Sequence, residues 1–455
     1  MLRRTVSGRW WIGAGLLVLM AGCATSSDSS GAKSSVADAP AADAKLSGTL
    51  EVQAFQGGYG IDFYQASAKE FAALHPDLKI EVSGSPRVWE SLTPRFANGN
   101  PPDLTFPGWG MRHWDLAEED QLLDLGQALD GPAHDGKGTW RETFDPQILK
   151  LGQLGGKQYT LPYYVMIYGW WYDPGVFTKN GWKVPKTYPE LLTLCDKIKA
   201  SGIAPLTYQG KYPYYLIDGM LLPWVQDLGG IASVNDLQNL EPGAWKSDAV
   251  KAALRRILEL KDKGFFQKGA AAMSHTEAQQ EFVQGRAAMI PCGSWLYSEM
   301  KATLPKGAQM EYFLPPVSDK PVGDPSAVLI GIEPWMVPSG GKNPDAAIAF
   351  FRYMTSPSVA AKFVREKGTL TAIKGSDEGA DLPPILAAPR RALRESKTVY
   401  AVQFRHWYPN LSTELENALT SLMTGQTTVD ALCERVESAA EKIRQDPNIS
   451  KHRVD

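Results

Sequence analysis

Thr49 to Phe55 reads as a strand, Leu78, Ile80 and Val82 alternate as a second, and between them Ile61, Tyr64, Ala68 and Phe71 recur at helical spacing up to a stop at His75-Pro76. A strand, helix and strand in that order predict a parallel sheet with a right-handed crossover. Farther along, several helices are marked by their ends. Thr187 with Glu190 and Ser274 with Glu277 have capping-box spacing. Ser247 precedes a stripe of Val250, Leu254, Ile257 and Leu258 that ends at Gly264, and the first of those boxes starts a stripe of Leu191, Leu194, Cys195 and Ile198. Asn343-Pro344 and Ser356-Pro357 place a cap before a proline at the first helical position, and Gly368 closes the second of these helices. Residues 309–338 read as strands, and the chain ends in helical stripes of Leu415, Leu419 and Leu422, then Val429, Leu432, Val436, Ala439 and Ile443.

Three stretches break this regular pattern with aromatic residues. In Gln284 to Leu296, Gly285 can end a helix left-handed and Arg286 to Ile290 forms a strand. Pro291 cannot continue a central ladder, and Gly293-Ser294 supplies a turn and an N-cap. That places Trp295 on the first turn of a new helix at a strand's C-terminal end, where open α/β sheets gather ligands; the alternative is a core tryptophan. F-Q-G-G-Y-G (55–60) follows a strand, so its glycines let backbone and Tyr59 approach a ligand closely, while no Lys-Ser/Thr follows to make it a phosphate cradle. P-L-T-Y-Q-G-K-Y-P-Y-Y (205–215) is a turn-rich loop in which Tyr212 and Tyr214 read either as the wall of a site or as packing.

At 455 residues the chain has room for two or three domains. Lys plus Arg number 47 against 50 for Asp plus Glu, which leaves no electrostatic footprint for nucleic acid and suits a neutral or weakly charged ligand. Arg3, Arg4 and Arg9, an apolar run from Trp10 to Met20 and then Ala21-Gly22-Cys23 make residues 1–22 a signal peptide. Small residues directly before a cysteine resemble the bacterial lipobox, so Cys23 is the expected lipidation site. Arg3-Arg4 begins like a twin-arginine signal, but the following residues do not complete it, which leaves general secretory export. Residues 24–45 are Ala, Ser and Asp with almost no large apolar side chain and are expected to be a disordered tether. Cys195, Cys292 and Cys433 lack metal or redox spacing and read as buried thiols, or as one disulfide plus a thiol. The six histidines show no ligand spacing, so no metal and no cofactor are expected.

A-A-M-x-x-x-G-S-W (287–295), L-P-Y-Y-V-M-I-Y-G-W-W-Y-D-P-G-V-F (161–177) and K-N-P-D-A-A-I-A-F-F-R-Y-M (342–354) together resemble the extracellular solute-binding proteins of bacterial carbohydrate ABC importers, the maltose-binding-protein-like family, over residues 49 to 443. The resemblance implies an α/β, two-lobed, type II periplasmic-binding fold with a hinge and an interlobe cleft. It implies an N-lobe of 46–162 plus 306–338 and a C-lobe of 163–305 plus 339–455, after the signal peptide (1–22) and the lipidated, tethered segment (23–45). Where the family places an acidic sugar ligand this chain has Met166, so that contact is not carried over. The loop P-G-W-G-M-R-H-W (107–114) matches the family's sugar-contacting loop by kind, through Trp109, and Trp407-Tyr408 lies close to the family's last aromatic platform.

The implied site is Tyr59, Trp109, Tyr212, Tyr214, Trp295, Trp407 and Tyr408 with Glu333 as an acidic acceptor, although Glu333 also reads as a strand-end carboxylate satisfied by backbone. Asp103 reads as structural, and Glu118, Glu119 and Asp120 as a solvated face. The implied function is a monomeric, lipid-anchored, non-enzymatic carrier on the extracytoplasmic or periplasmic side that hands a sugar to the permease of an ABC importer. S-H-T-E-A-Q-Q-E-F (274–282), I-E-P-W-M-V-P (332–338) and N-G-W-K-V-P-K-T (180–187) are most similar to the subgroup that takes N-acetylglucosamine and diacetylchitobiose. The alternatives are a carrier for a non-sugar polar nutrient, and an exported carbohydrate-active enzyme, which would need two carboxylates flanking the scissile bond.

Overall fold

The computed structural model describes residues 45–454 apart from 109, 110, 380 and 381. The signal peptide, Cys23, nearly all of the tether and Trp109 lie outside the described residues. The opening follows the hydrophobic pattern: β1 (Gly48–Phe55) pairs in parallel with β2 (Leu78–Ser85) and, on its other side, with β3 (Leu104–Phe106). The helix Asp62–Leu74 makes the crossover and buries Phe63, Tyr64, Ala68 and Phe71. Asp103, just before β3, accepts backbone N–H bonds from Glu51, Lys342 and Asn343, a structural role.

After a small hairpin of β4 (Gln153–Leu154) and β5 (Lys157–Gln158), β6 (Leu161–Tyr172) runs for twelve residues, all of them buried. It is the spine of a seven-stranded sheet. β7 (Ala204–Leu206) and β8 (Ala287–Gly293) build outward from its second half, β9 (Glu311–Phe313) joins that half, and β10 (Val328–Trp335), β11 (Leu370–Thr371) and β12 (Val399–Ala401) complete the sheet in the order β12-β10-β6-β8-β7. β10 runs antiparallel to β6 with Ile330 opposite Ile167 and Trp335 opposite Leu161, and the register shifts between Ile332 and Pro334. The two strands carry the chain between two lobes, the architecture of a type II binding fold. Toward the first lobe they end in an aromatic core, in which Trp335 lies 5.0 Å from Tyr64, 5.7 Å from Phe106 and 5.6 Å from Phe351 between ring centroids.

Both capping boxes form, and Ser247 caps Asp248–Asp262. Gly285 and Gly368 take left-handed φ of 72° and 64°. Three local expectations need correction. Pro291 stays inside β8, opposite Trp170. Its carbonyl points away from β6 and accepts Gln209 Nε2 at 3.1 Å, so its nitrogen, on the same side, lies past the end of β7 where no strand asks for an N–H. Asn343 and Ser356 stand before their helices but do not cap them. Asn343 Nδ2 instead donates to the Ser47 and Thr49 carbonyls, and Ser356 Oγ to Tyr353 O.

Several contacts bear on where the lobes divide. Helices Pro344–Met354 and Pro357–Lys367 hold onto the first segment through Tyr353–Glu70, Lys362–Glu70 and Lys367–Asp62, not onto the second lobe. Residues 311–318 pack in the opposite sense, since β9 pairs with β6 at residues 170–172 and Ser318 bonds Asp227. A boundary at 339 and one at 306 would each cut through these ties. Cys195, Cys292 and Cys433 are free and buried.

Candidate binding cleft

A narrow cavity of about 30 Å³ lies where the hinge strands meet the loop after β3. Thr160, Gly331, Ile332 and Pro334 form its hinge side. His113 and Trp114 cover it from the helix His113–Glu118, and Tyr168, Asp218, Gln403, Arg405 and His406 line the far side. It has room for one or two waters. Pockets that hold small organic ligands begin at roughly 300 Å³, so a sugar ring requires the two lobes to move apart from this arrangement.

Each lining group has a local reason for its place. Asp218 sits in a π-helical turn, Ile217–Leu221, in which the Leu222 N–H reaches back to Ile217 O. Gly219 makes this turn fit, because a Cβ there would come within 2.7 Å of the Pro291 Cβ; the Gly219 carbonyl takes the Trp170 indole N–H at 2.7 Å. The turn points a fully buried carboxylate at Arg405, and the two form a fork of 2.7 and 2.9 Å. Burial opposes the Arg405 charge, but the field and hydrogen bonds of Asp218 outweigh it and hold the guanidinium above its usual value. The Tyr214 ring lies 5.5 Å from that guanidinium. Phe404 anchors the segment beside Trp245, and the Gln403 backbone N–H donates to Gln238 Oε1 at 2.6 Å.

The histidines are packed, not solvated. Burial lowers His113 to about 4, and it lowers His406 as well, helped by His113 and the Arg405 charge; the two rings are 5.1 Å apart. Around the cavity Thr160 Oγ1, Trp114 Nε1 and Arg405 Nε are buried with no hydrogen-bond partner among the described residues. Polar atoms of this kind, set among aromatic rings, suit a ligand with many hydroxyls or amides.

The sequence-predicted residues fall into three groups. Trp295 is buried and lies 5.3 Å from Tyr168 and 5.9 Å from Tyr215, so it backs the cavity through Tyr168, and Tyr214 backs it through Arg405. Tyr59 belongs to the closure between lobes, and Glu333 is buried on the hinge strand β10. The Tyr59 hydroxyl donates to Thr369 Oγ1 at 3.0 Å and lies 3.4 Å from Ser294 Oγ, and Ser298 Oγ donates to Gly58 O at 3.0 Å. Ser294 is therefore a junction and not a helix cap; its Oγ also accepts the Ile167 N–H at 3.2 Å. Glu333 lies between Ile332 and Pro334, and burial pushes its carboxyl well above the ordinary carboxylate range, with a Tyr164 hydrogen bond opposing that rise.

Tyr212, Trp407 and Tyr408 are not brought to the cavity. Tyr212 is exposed and meets Tyr214 and His275, while Trp407 and Tyr408 face His452, whose backbone N–H donates to the Tyr408 hydroxyl at 2.9 Å. His113, Trp114, Thr160, Tyr168, Asp218, Arg405 and His406 escaped the sequence reading. Trp114 carried a signal, as the second tryptophan of the aromatic loop at 107–114; the others carried none at close range. Among the described residues no cluster of His, Cys, Asp and Glu could hold a metal, and no helix is long and apolar enough to cross a membrane.

The chain is 27% identical over 417 residues to the diacetylchitobiose binding protein NgcE of Streptomyces coelicolor, covering 90% of this chain and 88% of that one. It is 27% identical over 258 residues to the multiple sugar-binding protein of Streptococcus mutans, covering 56% and 60%. Among solved structures, a chitin oligosaccharide binding protein superposes with a TM-score of 0.71 at 22% identity, covering 86% of this chain and 98% of that one. The RafE binding protein in complex with raffinose gives 0.71 at 21% identity, covering 87% and 99%. The family model for bacterial extracellular solute-binding proteins matches residues 57–361, from the Gly-Gly loop through β6, the Trp295 turn and β10 into the second of the paired helices, and the chain belongs to that family.

Proposed function

We propose that the protein is a carrier that binds a mono- or oligosaccharide in the interlobe cleft and delivers it to the permease of an ABC importer, with an N-acetylated sugar such as diacetylchitobiose as the ligand. The observation that carries this reading is the cavity between the lobes, in which unpartnered donors on Trp114, Thr160 and Arg405 meet aromatic side chains. Sugar rings offer apolar C–H faces to stack on aromatics and hydroxyls that need fixed partners, and an acetamido group adds a carbonyl acceptor and a methyl. The named ligand of the relative aligned over nine-tenths of the chain supports the same class. In this reading Trp114, Tyr168, Asp218, Arg405, Tyr214 and Trp295 contact or shape the ligand site. Tyr59 acts at the closure, Glu333 lies buried on the hinge strand β10, and Trp109, outside the described residues, is proposed as a further sugar contact.

The contacts support a first lobe that takes in helices Pro344–Met354 and Pro357–Lys367 and a second that takes in residues 311–318, with β6 and β10 as the hinge strands shared between them. Cys23 is the proposed lipid anchor, with residues 24–45 as its tether and the folded part monomeric on the outer side of the membrane. Replacing Cys23 with Ser should release the protein from the membrane fraction; retention there as firmly as wild type would remove the anchor. Calorimetry of the purified protein against diacetylchitobiose, cellobiose and maltose tests the ligand. The expected outcome is strongest binding of the N-acetylated sugar, since a buried amide partner left unpaired costs about 1 to 3 kcal/mol. Equal binding of diacetylchitobiose and cellobiose would remove the N-acetyl assignment, and binding of none of the three would remove the sugar reading.

A further inference from the structure

We infer that the buried Asp218–Arg405 fork makes this cleft selective for sugars without charge, so that acetylated amino sugars and neutral sugars enter while their free-amine and uronate counterparts are refused. The inference rests on the sugar-carrier reading and specifies the substrate class of the same site. Among the side chains lining the cavity, Asp218 is the only carboxylate and Arg405 the only permanent cation. The two charges face each other in a bidentate pair: Arg405 Nη1 donates to Asp218 Oδ2 at 2.9 Å and Nη2 to Oδ1 at 2.7 Å. The fork therefore has no net charge. Neither a ligand carboxylate nor a ligand ammonium finds an open ionic partner there.

Of the nitrogens of the pair, Arg405 Nε is the one buried without any partner among the described residues, a donor that matches a hydroxyl or an amide carbonyl. His113 and His406 are buried against each other 5.1 Å apart, and burial raises the carboxyl of Glu416, the acid beside Arg405, above its usual value. A charged ligand entering such a site gives up its hydration and receives no ionic partner in return, which is the expensive case for a buried charge. Asp218 acts as a positioning residue for Arg405. It fixes the direction of Nε and cancels the guanidinium charge, so the charge rule depends on Asp218 even though the donor belongs to Arg405.

The test is calorimetry of the purified protein near pH 6 with diacetylchitobiose, its fully deacetylated diamine, cellobiose and the uronate counterpart of cellobiose. Wild type should bind each charged sugar at least about 100-fold more weakly than its neutral counterpart. Asp218→Asn should narrow or reverse the gap for the uronate by about tenfold or more, and leave the diamine refused, because Arg405 is then an uncompensated cation. Since breaking a buried pair can cost the fold, the wild-type panel decides alone if the variant loses its cooperative thermal transition. Wild type binding neutral and charged sugars within about threefold overturns the inference and leaves the carrier reading standing. Wild type binding none of the four overturns the carrier reading itself.

Discussion

Gly293 has no space for a side chain, because a Cβ there would overlap the Trp295 ring. Gly293→Ala should therefore push the indole away from Tyr168 and lower ligand affinity by about tenfold or more, roughly 1.4 kcal/mol, although it removes no atom that touches ligand. Calorimetry reads the loss, and near-ultraviolet circular dichroism reads the displaced indole. Unchanged affinity with a changed spectrum would make Trp295 a core residue. A second residue-scale effect concerns acid. His113 titrates at about 4 in the folded protein against about 6.5 unfolded, so the unfolded chain takes up the proton first as pH falls. The stability held by neutral His113 is complete above about pH 6.5 and is lost progressively down to about pH 4. Glu333 and Glu299, whose pKa values burial raises, bind protons in the folded state and act in the opposite direction. The clean quantity is thus a difference: between pH 7 and 5 the wild type should lose about 2 kcal/mol more than His113→Gln in urea unfolding, if each protein unfolds in two states. Trp295 and Tyr214 stood out in the sequence as site candidates because aromatics in a turn at a strand end are locally conspicuous. Asp218 and Arg405 did not, since the two are 187 residues apart and nothing near either one announces the other.

At the scale of elements, what the sequence showed well was whatever closes over three or four residues. The boxes at Thr187 and Ser274 and the glycine stops at 285 and 368 are of this kind, and each lies where its spacing puts it. Ser274→Ala should cost about 1 kcal/mol of stability, as removal of an N-cap usually does, and shift ligand affinity less than about twofold, because the helix His275–Val283 supports β8 from outside the cleft. Urea titration and calorimetry on one preparation separate the two. What misled was whatever depends on a partner strand. Pro291 is allowed inside β8 because β7 ends at Leu206, a fact that belongs to another part of the chain. Asn343 looks like a cap in sequence, yet its amide is drawn away by two carbonyls beside β1. The π-helical turn at Ile217–Leu221 has no sequence signature, because tertiary packing of Gly219 against Pro291 and Trp170 selects it.

At the scale of the molecule, the two-lobed class was readable from three blocks, whereas which lobe a helix joins depends on long-range ties that no short stretch announces. One such tie also bears on closure. Residues 450–454 cross from one proposed lobe to the other. Ser450 Oγ donates to Glu118 Oε2 at 2.9 Å and His452 Nε2 lies 3.5 Å from Glu118 Oε1, while Val454 exchanges two hydrogen bonds of 2.8 and 3.0 Å with Asn239, and Arg453 pairs with Glu241. Glu118 ends the same short helix whose first residues, His113 and Trp114, cover the cavity. The strap thus holds the cover down from outside, and cutting it should shift the population toward open lobes. Glu118→Ala severs both ties at one exposed position with little cost to the fold. Exposed contacts of a carboxylate with a hydroxyl or an imidazole contribute about 1 kcal/mol at most, so the expected change is modest: a dissociation constant about two- to fivefold weaker, with faster release, and a larger radius of gyration without ligand in small-angle scattering. Adding the ligand should restore the compact form, because its contacts bias the same equilibrium. If the radius and the affinity both stay at wild-type values, residues 450–454 only cover the surface and closure rests on other contacts, such as those of Tyr59, Ser294 and Ser298.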